Sequence, residues 1–76
     1  MELKDFIQNF ASQFDETDVT EFQAETVFKQ LEEWTSLIAL SVIAMADEEY
    51  NVIIKGNDIR EASTIEDLYN VVKSRI

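Results

Sequence analysis

The chain contains no cysteine, no histidine and no proline, and its single glycine is Gly56. Without cysteine it has no disulfide and no thiolate chemistry of its own, which fits a cytoplasmic protein. Without histidine it lacks the commonest general base and the commonest metal ligand. The scarcity of glycine and proline removes the turns typical of β-hairpins and favours a helical fold.

Basic residues are also scarce, since six lysines and arginines stand against sixteen aspartates and glutamates and the net charge is −10. This balance argues against a nucleic-acid-binding protein, because such a protein neutralises phosphates with basic side chains. It favours a partner with a basic surface, because complementary charges speed association, although charge also serves solubility. Crowding of like charges further predicts that some carboxylates have raised pKa values in the folded chain.

Long apolar stretches are absent as well. The longest, residues 37–46, is interrupted by Ser41 and is far shorter than the roughly 20 residues of a membrane-spanning helix. We therefore expect no membrane span. The chain has 76 residues, enough for one small domain, 1–76, which buries only about 60% of the surface of its unfolded chain. We expect this domain to be a monomer.

Amphipathic helices are predicted at both ends of the chain. We expect the first to end near residue 14, and its periodic stripe indicates core positions rather than a cofactor site. That stripe consists of Leu3, Phe6, Ile7, Phe10 and Phe14. The last helix begins after Thr64, an N-cap with Asp67 three residues later, as in a capping box. Its stripe consists of Ile65, Leu68, Tyr69, Val72 and Ile76.

The helix between them, from Ser36 to about residue 50, is apolar nearly all round. In a small domain we expect such a helix to give one face to the core and another to a partner. The predicted core face consists of Ala39, Val42, Ile43, Ala46 and Tyr50. The predicted partner-binding face consists of Leu37, Leu40, Ser41, Ala44, Asp47 and Glu48.

Residues 15–35 form a long polar connection, which we expect to contain short helical turns. Its predicted anchors to the core are Val19, Phe22, Val27, Phe28, Leu31 and Trp34. The acidic residues 15–18 lack the ligand spacing, glycine and closing glutamate of an EF-hand, which favours a solvated loop. We expect residues 51–55 to form an extended loop and residues 56–61 to form a short helical turn. The sum is an all-α fold, a small bundle of three main helices plus one short helix, with a long first loop.

No group of residues has the spacing of a catalytic site. A serine nucleophile needs a base, and no lysine, the main base left without histidine, lies near Ser36 in sequence. We therefore expect a protein that is not an enzyme, with no catalytic and no metal-binding residues. Ser36 follows the predicted N-cap Thr35, where the helix dipole would stabilise a phosphate ester. Taken alone, a serine at this point is better explained by helix capping, because serine is a favoured residue near helix N-termini.

Several motifs follow one another along the chain. The second helix begins with Thr35-Ser36-Leu37, which follows the apolar residues Phe28 and Leu31. That helix ends with Asp47-Glu48-Glu49-Tyr50. A short helix near 58–61 then comes before Thr64-Ile65-Glu66-Asp67-Leu68 at the start of the last helix. In this order the motifs resemble the acyl carrier protein family over nearly the whole chain. The family usually has Asp-Ser-Leu at the serine and a glycine shortly before it. Here Thr35 replaces the aspartate, and Glu32-Glu33-Trp34 occupies the segment that usually carries the glycine.

The resemblance implies that Ser36 carries a 4′-phosphopantetheine arm, transferred from coenzyme A by a phosphopantetheinyl transferase. It implies that acyl intermediates are bound to that arm as thioesters during fatty acid or related acyl-chain biosynthesis. It also implies that the acidic second helix docks on basic patches of acyl-chain synthesis enzymes, with Leu37 and Leu40 in apolar contact.

Two other functions remain open at this point. An aminoacyl or peptidyl carrier has the same fold and arm with a different cargo, although the pI of about 4.1 favours the acyl type. An unmodified acidic module that binds a basic protein has no arm at all. The intact mass after incubation with a transferase separates this module from the carriers, and loading assays separate the two carriers.

Overall fold

Four α-helices and two short 3₁₀ turns make up the chain, and no strand is present. The computed structural model describes residues 1–76. The helices are α1 (Leu3–Ala11), α2 (Ser36–Tyr50), α3 (Gly56–Glu61) and α4 (Ile65–Ser74), and the 3₁₀ turns are Val19–Glu21 and Phe28–Gln30. This architecture confirms the predicted all-α bundle of three main helices and one short helix with a long first loop.

Helix α1 ends at Ala11 rather than near residue 14. The Phe14 N–H donates to the Ala11 carbonyl at 3.0 Å, which is the spacing of a turn and not of an α-helix. The side chains of Ser12 and Gln13 both donate to the Asn9 carbonyl, and polar side chains that take the last carbonyls help to end a helix. Phe14 is nevertheless buried, as the stripe predicts.

The core is entirely apolar and is richest in aromatic rings around Phe10, which is fully buried. The ring centroids of Phe28 and Phe14 lie 5.4 and 5.5 Å from that of Phe10, and those of Phe22 and Trp34 lie 6.2 and 6.4 Å away. Full burial of such a side chain contributes about 1.5–3 kcal/mol. The core therefore joins α1 to the first loop and to the segment that leads into α2.

Four of the six predicted anchors of the first loop reach the core, namely Phe22, Phe28, Leu31 and Trp34. The prediction is wrong for Val19 and Val27, whose side chains are exposed. Backbone hydrogen bonds attach the loop to α4 instead. The Thr26 and Ala24 carbonyls accept from the first two N–H groups of α4, at 3.1 and 3.0 Å.

Helix α4 begins with the predicted capping box. The Thr64 hydroxyl accepts from the Asp67 N–H, and the Asp67 carboxylate accepts from the Thr64 N–H, both at 3.1 Å. Its buried residues are Ile65, Leu68, Tyr69 and Val72. The stripe was also predicted to include Ile76, but this residue is exposed because the helix ends at Ser74.

Helix α2 ends where Asn51 adopts the left-handed conformation, with φ of 56°. The N–H groups of Asn51 and Val52 donate to the Asp47 and Ala46 carbonyls, which satisfies the end of the helix. Residues 51–55 then form a loop, as predicted, in which Val52 and Ile54 are buried. A membrane-spanning segment would need a longer and more apolar helix than any of the four.

Candidate functional site

Ser36 is the first residue of α2, and its side chain is exposed. The hydroxyl of Thr35 accepts a hydrogen bond from the Ile38 N–H at 3.3 Å, which confirms the predicted N-cap. The Ala39 N–H donates to the Thr35 carbonyl at 3.0 Å, whereas the N–H groups of Ser36 and Leu37 have no acceptor within the chain. Two free donors and the positive end of the helix dipole therefore lie beside an exposed hydroxyl.

One side of α2 faces solvent, and we refer to it as the docking face. It consists of Leu37, Leu40, Ser41, Ala44, Asp47 and Glu48, the residues predicted to bind a partner. Leu37 and Leu40 are 74% and 62% exposed, Ser41 is half-buried, and the other three are exposed. From Leu37 to Glu48 the face extends about 16 Å along the helix. The structure thus brings the six residues together on one surface that begins next to Ser36.

The opposite side of α2 packs against the core. Its predicted residues Val42 and Ala46 are buried, and Ala39, Ile43 and Tyr50 contact the core from half-buried positions. Met45 is also buried, although the sequence pattern did not assign it to the core face. The Tyr50 hydroxyl accepts a hydrogen bond from the Asn9 amide at 2.8 Å, which fixes this end of the helix against α1.

The charges of α2 are arranged against the helix dipole. The last turn carries Asp47, Glu48 and Glu49, the first turn has no acidic residue, and the helix has no cation in its last turn. Carboxylates at a helix C-terminus face the negative end of the dipole and destabilise the helix. Helix α4 follows the favourable order instead, with Glu66 and Asp67 in its first turn and Lys73 in its last.

The segment just before Ser36 is held on both sides. The Trp34 ring lies among the core aromatics, with its centroid 4.9 Å from that of Phe28. The Glu33 carboxylate points the other way and accepts hydrogen bonds from the loop after α1. The sequence pattern showed that this segment departs from the resembled family, but it gave no role to Glu33. The contacts span 16 to 18 residues of chain, and no local spacing signals them.

Four carboxylates, which we refer to as the capping carboxylates, accept hydrogen bonds from backbone N–H groups, and these bonds lower their pKa values. They are Asp18, Glu33, Asp58 and Asp67. The hydroxyl of Thr17 is the largest cause of the lowered pKa of Glu33, and the Arg75 guanidinium is the largest cause for Asp58. The backbone N–H of Thr20 lowers the pKa of Asp18, and that of Thr64 lowers the pKa of Asp67. None of these four has the raised pKa value that was expected of some carboxylates, because hydrogen bonds to the ionised form outweigh desolvation by burial.

The acidic side chains among residues 15–18 do not have the arrangement of metal ligands. The backbone N–H groups of residues 15–17 instead point at one carboxylate, that of Glu33. Successive N–H groups that converge in this way form an anion-binding concavity. No cluster of three or more acidic side chains in the chain has a metal-binding arrangement.

Comparison with family models, curated proteins and solved structures gave no match to the chain. The features that bear on function are therefore the geometry around Ser36, the docking face and the resemblance of the sequence motifs.

Proposed function

We propose that the chain is an acyl carrier protein that carries acyl intermediates as thioesters on a 4′-phosphopantetheine arm attached to Ser36. The observation that supports this most is the position of Ser36, exposed at the first residue of α2 and next to the docking face. Because Thr35 supplies the N-cap, the Ser36 hydroxyl has no capping role. Helix capping, the alternative explanation for this serine, is thereby weakened.

The chemistry of attachment needs little from the carrier itself. The Ser36 oxygen displaces the nucleotide part of coenzyme A at phosphorus, a phosphodiester to the arm forms, and the hydroxyl proton passes to a base of the transferase. The free N–H groups of Ser36 and Leu37 and the helix dipole favour the negative phosphodiester that results. The arm ends in a thiol, which takes the acyl group as a thioester. The carrier's part is to present the arm and to be recognised.

Recognition is assigned to the docking face. Leu37 and Leu40 expose apolar surface at one end, and Asp47 and Glu48 expose negative charge at the other. The partners that fit are the phosphopantetheinyl transferase and acyl-chain synthesis enzymes whose entrances carry basic patches. A carrier that visits several enzymes needs small and transient interfaces, and a face about 16 Å long suits this requirement.

The intact mass of the protein tests the proposal. After incubation with coenzyme A and a broad-specificity phosphopantetheinyl transferase, we expect the mass to increase by one phosphopantetheine. Ser36→Ala should remove the increase and change the stability by no more than about 0.5 kcal/mol, as for other exposed positions. Ser63→Ala is the matched control, since Ser63 is also exposed and lies next to the N-cap of a helix, Thr64 of α4. It should be modified as fully as the wild type.

Other outcomes select the alternatives. An unmodified wild type with several transferases would contradict the proposal and favour the acidic interaction module. A modified protein that accepts aminoacyl groups but not malonyl or other acyl groups would identify an aminoacyl or peptidyl carrier.

A further inference from the structure

The Glu33 carboxylate binds the loop that follows α1 through four hydrogen bonds. One carboxylate oxygen, Oε2, accepts from the Asp15 N–H at 2.8 Å. The other, Oε1, accepts from the N–H groups of Glu16 and Thr17, both at 3.0 Å, and from the Thr17 hydroxyl at 2.7 Å. We refer to these contacts as the Glu33 clasp. Every bond in it requires an acceptor, and only an ionised carboxylate offers acceptors on both oxygens.

The clasp lies three residues before Ser36, and each intervening residue is also held. Trp34 packs against Phe28, and its N–H donates to the Leu31 carbonyl at 3.0 Å. Thr35 caps α2. Every residue from Glu33 to Ser36 is therefore held or lies in α2, and the Glu33 clasp is connected to Ser36 through Trp34 and Thr35.

No cation supports the clasp. Glu16, Glu21 and Glu32 line the same open cleft together with Thr17 and Glu33. No lysine or arginine lines that cleft, so the Glu33 carboxylate is held there by its hydrogen bonds alone. Loss of the acceptor therefore opens the clasp.

We propose that Glu33 is a positioning residue for the modification of Ser36, and that its clasp on residues 15–17 fixes the entry into α2 in the geometry that the transferase needs. This inference is based on the proposed function. It accounts for the departure of Glu32-Glu33-Trp34 from the resembled family, because the glutamate and the tryptophan hold the segment by contacts that a glycine cannot make. Opening the clasp leaves α2 and the core intact and loosens only the approach to Ser36.

The test compares Glu33→Gln with Glu32→Gln. Each variant removes one negative charge from the same cleft, but Glu32 is exposed and its side chain makes no hydrogen bond within the chain. In Glu33→Gln the new side-chain amide would place its NH₂ group against a backbone N–H, which breaks at least one bond with little change in shape. Thr17→Val is a second variant, since it removes the Thr17 hydroxyl and keeps the side-chain volume.

Two measurements are made on each variant, with circular dichroism to verify an unchanged helix content. The first is the set of backbone amide NMR signals of residues 15–17 and 33–37, including hydrogen exchange. The second is the rate of arm transfer from coenzyme A by a broad-specificity transferase. For Glu33→Gln we expect faster exchange at residues 15–17, shifted signals at Ser36 and Leu37, and a several-fold slower transfer. Thr17→Val should show the same changes in smaller degree, and Glu32→Gln should show neither.

A pH titration adds a readout that would not respond if Glu33 served only to stabilise the fold. In the wild type, the amide signals of residues 15–17 and of Ser36 should shift together as acid protonates Glu33, below its ordinary pKa because hydrogen bonds from Thr17 and Asp15 lower it. In Glu33→Gln the Ser36 signal should not follow this titration. Equal transfer rates for the two glutamine variants, or a Ser36 signal insensitive to Glu33→Gln, would overturn the inference. If the wild type itself accepts no arm, the proposed function fails, and the Ser36 signals alone then decide whether the clasp positions this residue.

Discussion

Removing the negative charge from the end of α2 should make the protein more stable and its modification slower. The variant is Asp47→Asn with Glu48→Gln, which keeps the shape of both side chains. Both residues lie in the last turn of α2, where no cation balances them. Each carboxylate at a helix C-terminus costs about 0.3–1 kcal/mol at an exposed position. The double variant should therefore gain about 0.6–2 kcal/mol, which corresponds to roughly 3–15 °C in Tm for a domain of this size.

A matched control separates the helix dipole from net charge. Glu25→Lys also changes the net charge from −10 to −8, but Glu25 is exposed in the first loop, outside the α-helices and outside the cleft that contains Glu33. Relief of general repulsion would raise Tm equally in this variant and in the double variant. If the helix dipole dominates, Tm increases more for the double variant at the end of α2.

The assay is a thermal melt followed by circular dichroism, together with the kcat/KM of arm transfer at several salt concentrations. The charge-depleted docking face should lower kcat/KM at low salt, since exposed charges act mainly on association. The difference from the wild type should shrink at high salt, which screens such charges. A Tm at or below that of the wild type would refute the reasoning from the dipole. Transfer kinetics equal to those of the Glu25→Lys variant would refute the docking role.

Two further predictions concern the apolar part of the docking face and the capping carboxylates. Leu37→Ala and Leu40→Ala should each change stability by less than about 0.5 kcal/mol but weaken transferase binding by about 5- to 30-fold, the equivalent of burying most of a leucine side chain. Val19→Ala, at an equally exposed position on the first loop, should leave binding unchanged. An equal loss of binding in all three variants would contradict the assignment of Leu37 and Leu40 to the docking face. Acid should destabilise the fold, because the capping carboxylates have lowered pKa values in the folded state. Their contribution to folding stability is complete above about pH 5 and is lost as the pH falls through their folded-state pKa values. Thermal melts from pH 7 downwards measure this, and a Tm that rises on acidification below pH 5 would show that relief of charge crowding dominates instead.

The starts of α2 and α4 could be predicted because their signals are local. Thr35 caps α2 through an N–H three residues away, and Thr64 and Asp67 form their capping box over the same distance. The docking face could also be predicted, since a helix apolar all round in a small domain cannot bury every side chain. Leu37 and Leu40 are the side chains left exposed.

The features that were missed depend on contacts distant in sequence or on competition at a helix end. Apolar periodicity alone extended α1 to Phe14 and α4 to Ile76. It takes no account of the Ser12 and Gln13 side chains, which donate to the Asn9 carbonyl, or of the Ser74 hydroxyl, which donates to the Val71 carbonyl. The Glu33 clasp joins residues up to 18 positions apart. A count of charges treats the Glu33 carboxylate like any other, whereas its pKa follows from the donors that the tertiary fold brings to it.

The sixteen acidic side chains thus include two groups that act in opposite directions. The capping carboxylates lie where backbone N–H groups converge, so their charge stabilises the fold. Asp47, Glu48 and Glu49 lie where the dipole of α2 disfavours them, and none of the three accepts a hydrogen bond from the chain through its side chain. Negative charges that lower folding stability, on the same exposed surface as Leu37 and Leu40, are better explained by attraction of a basic partner than by a role in the fold. In the two proposals together, Glu33 would hold the entry into α2 and the docking face would bring partners to it.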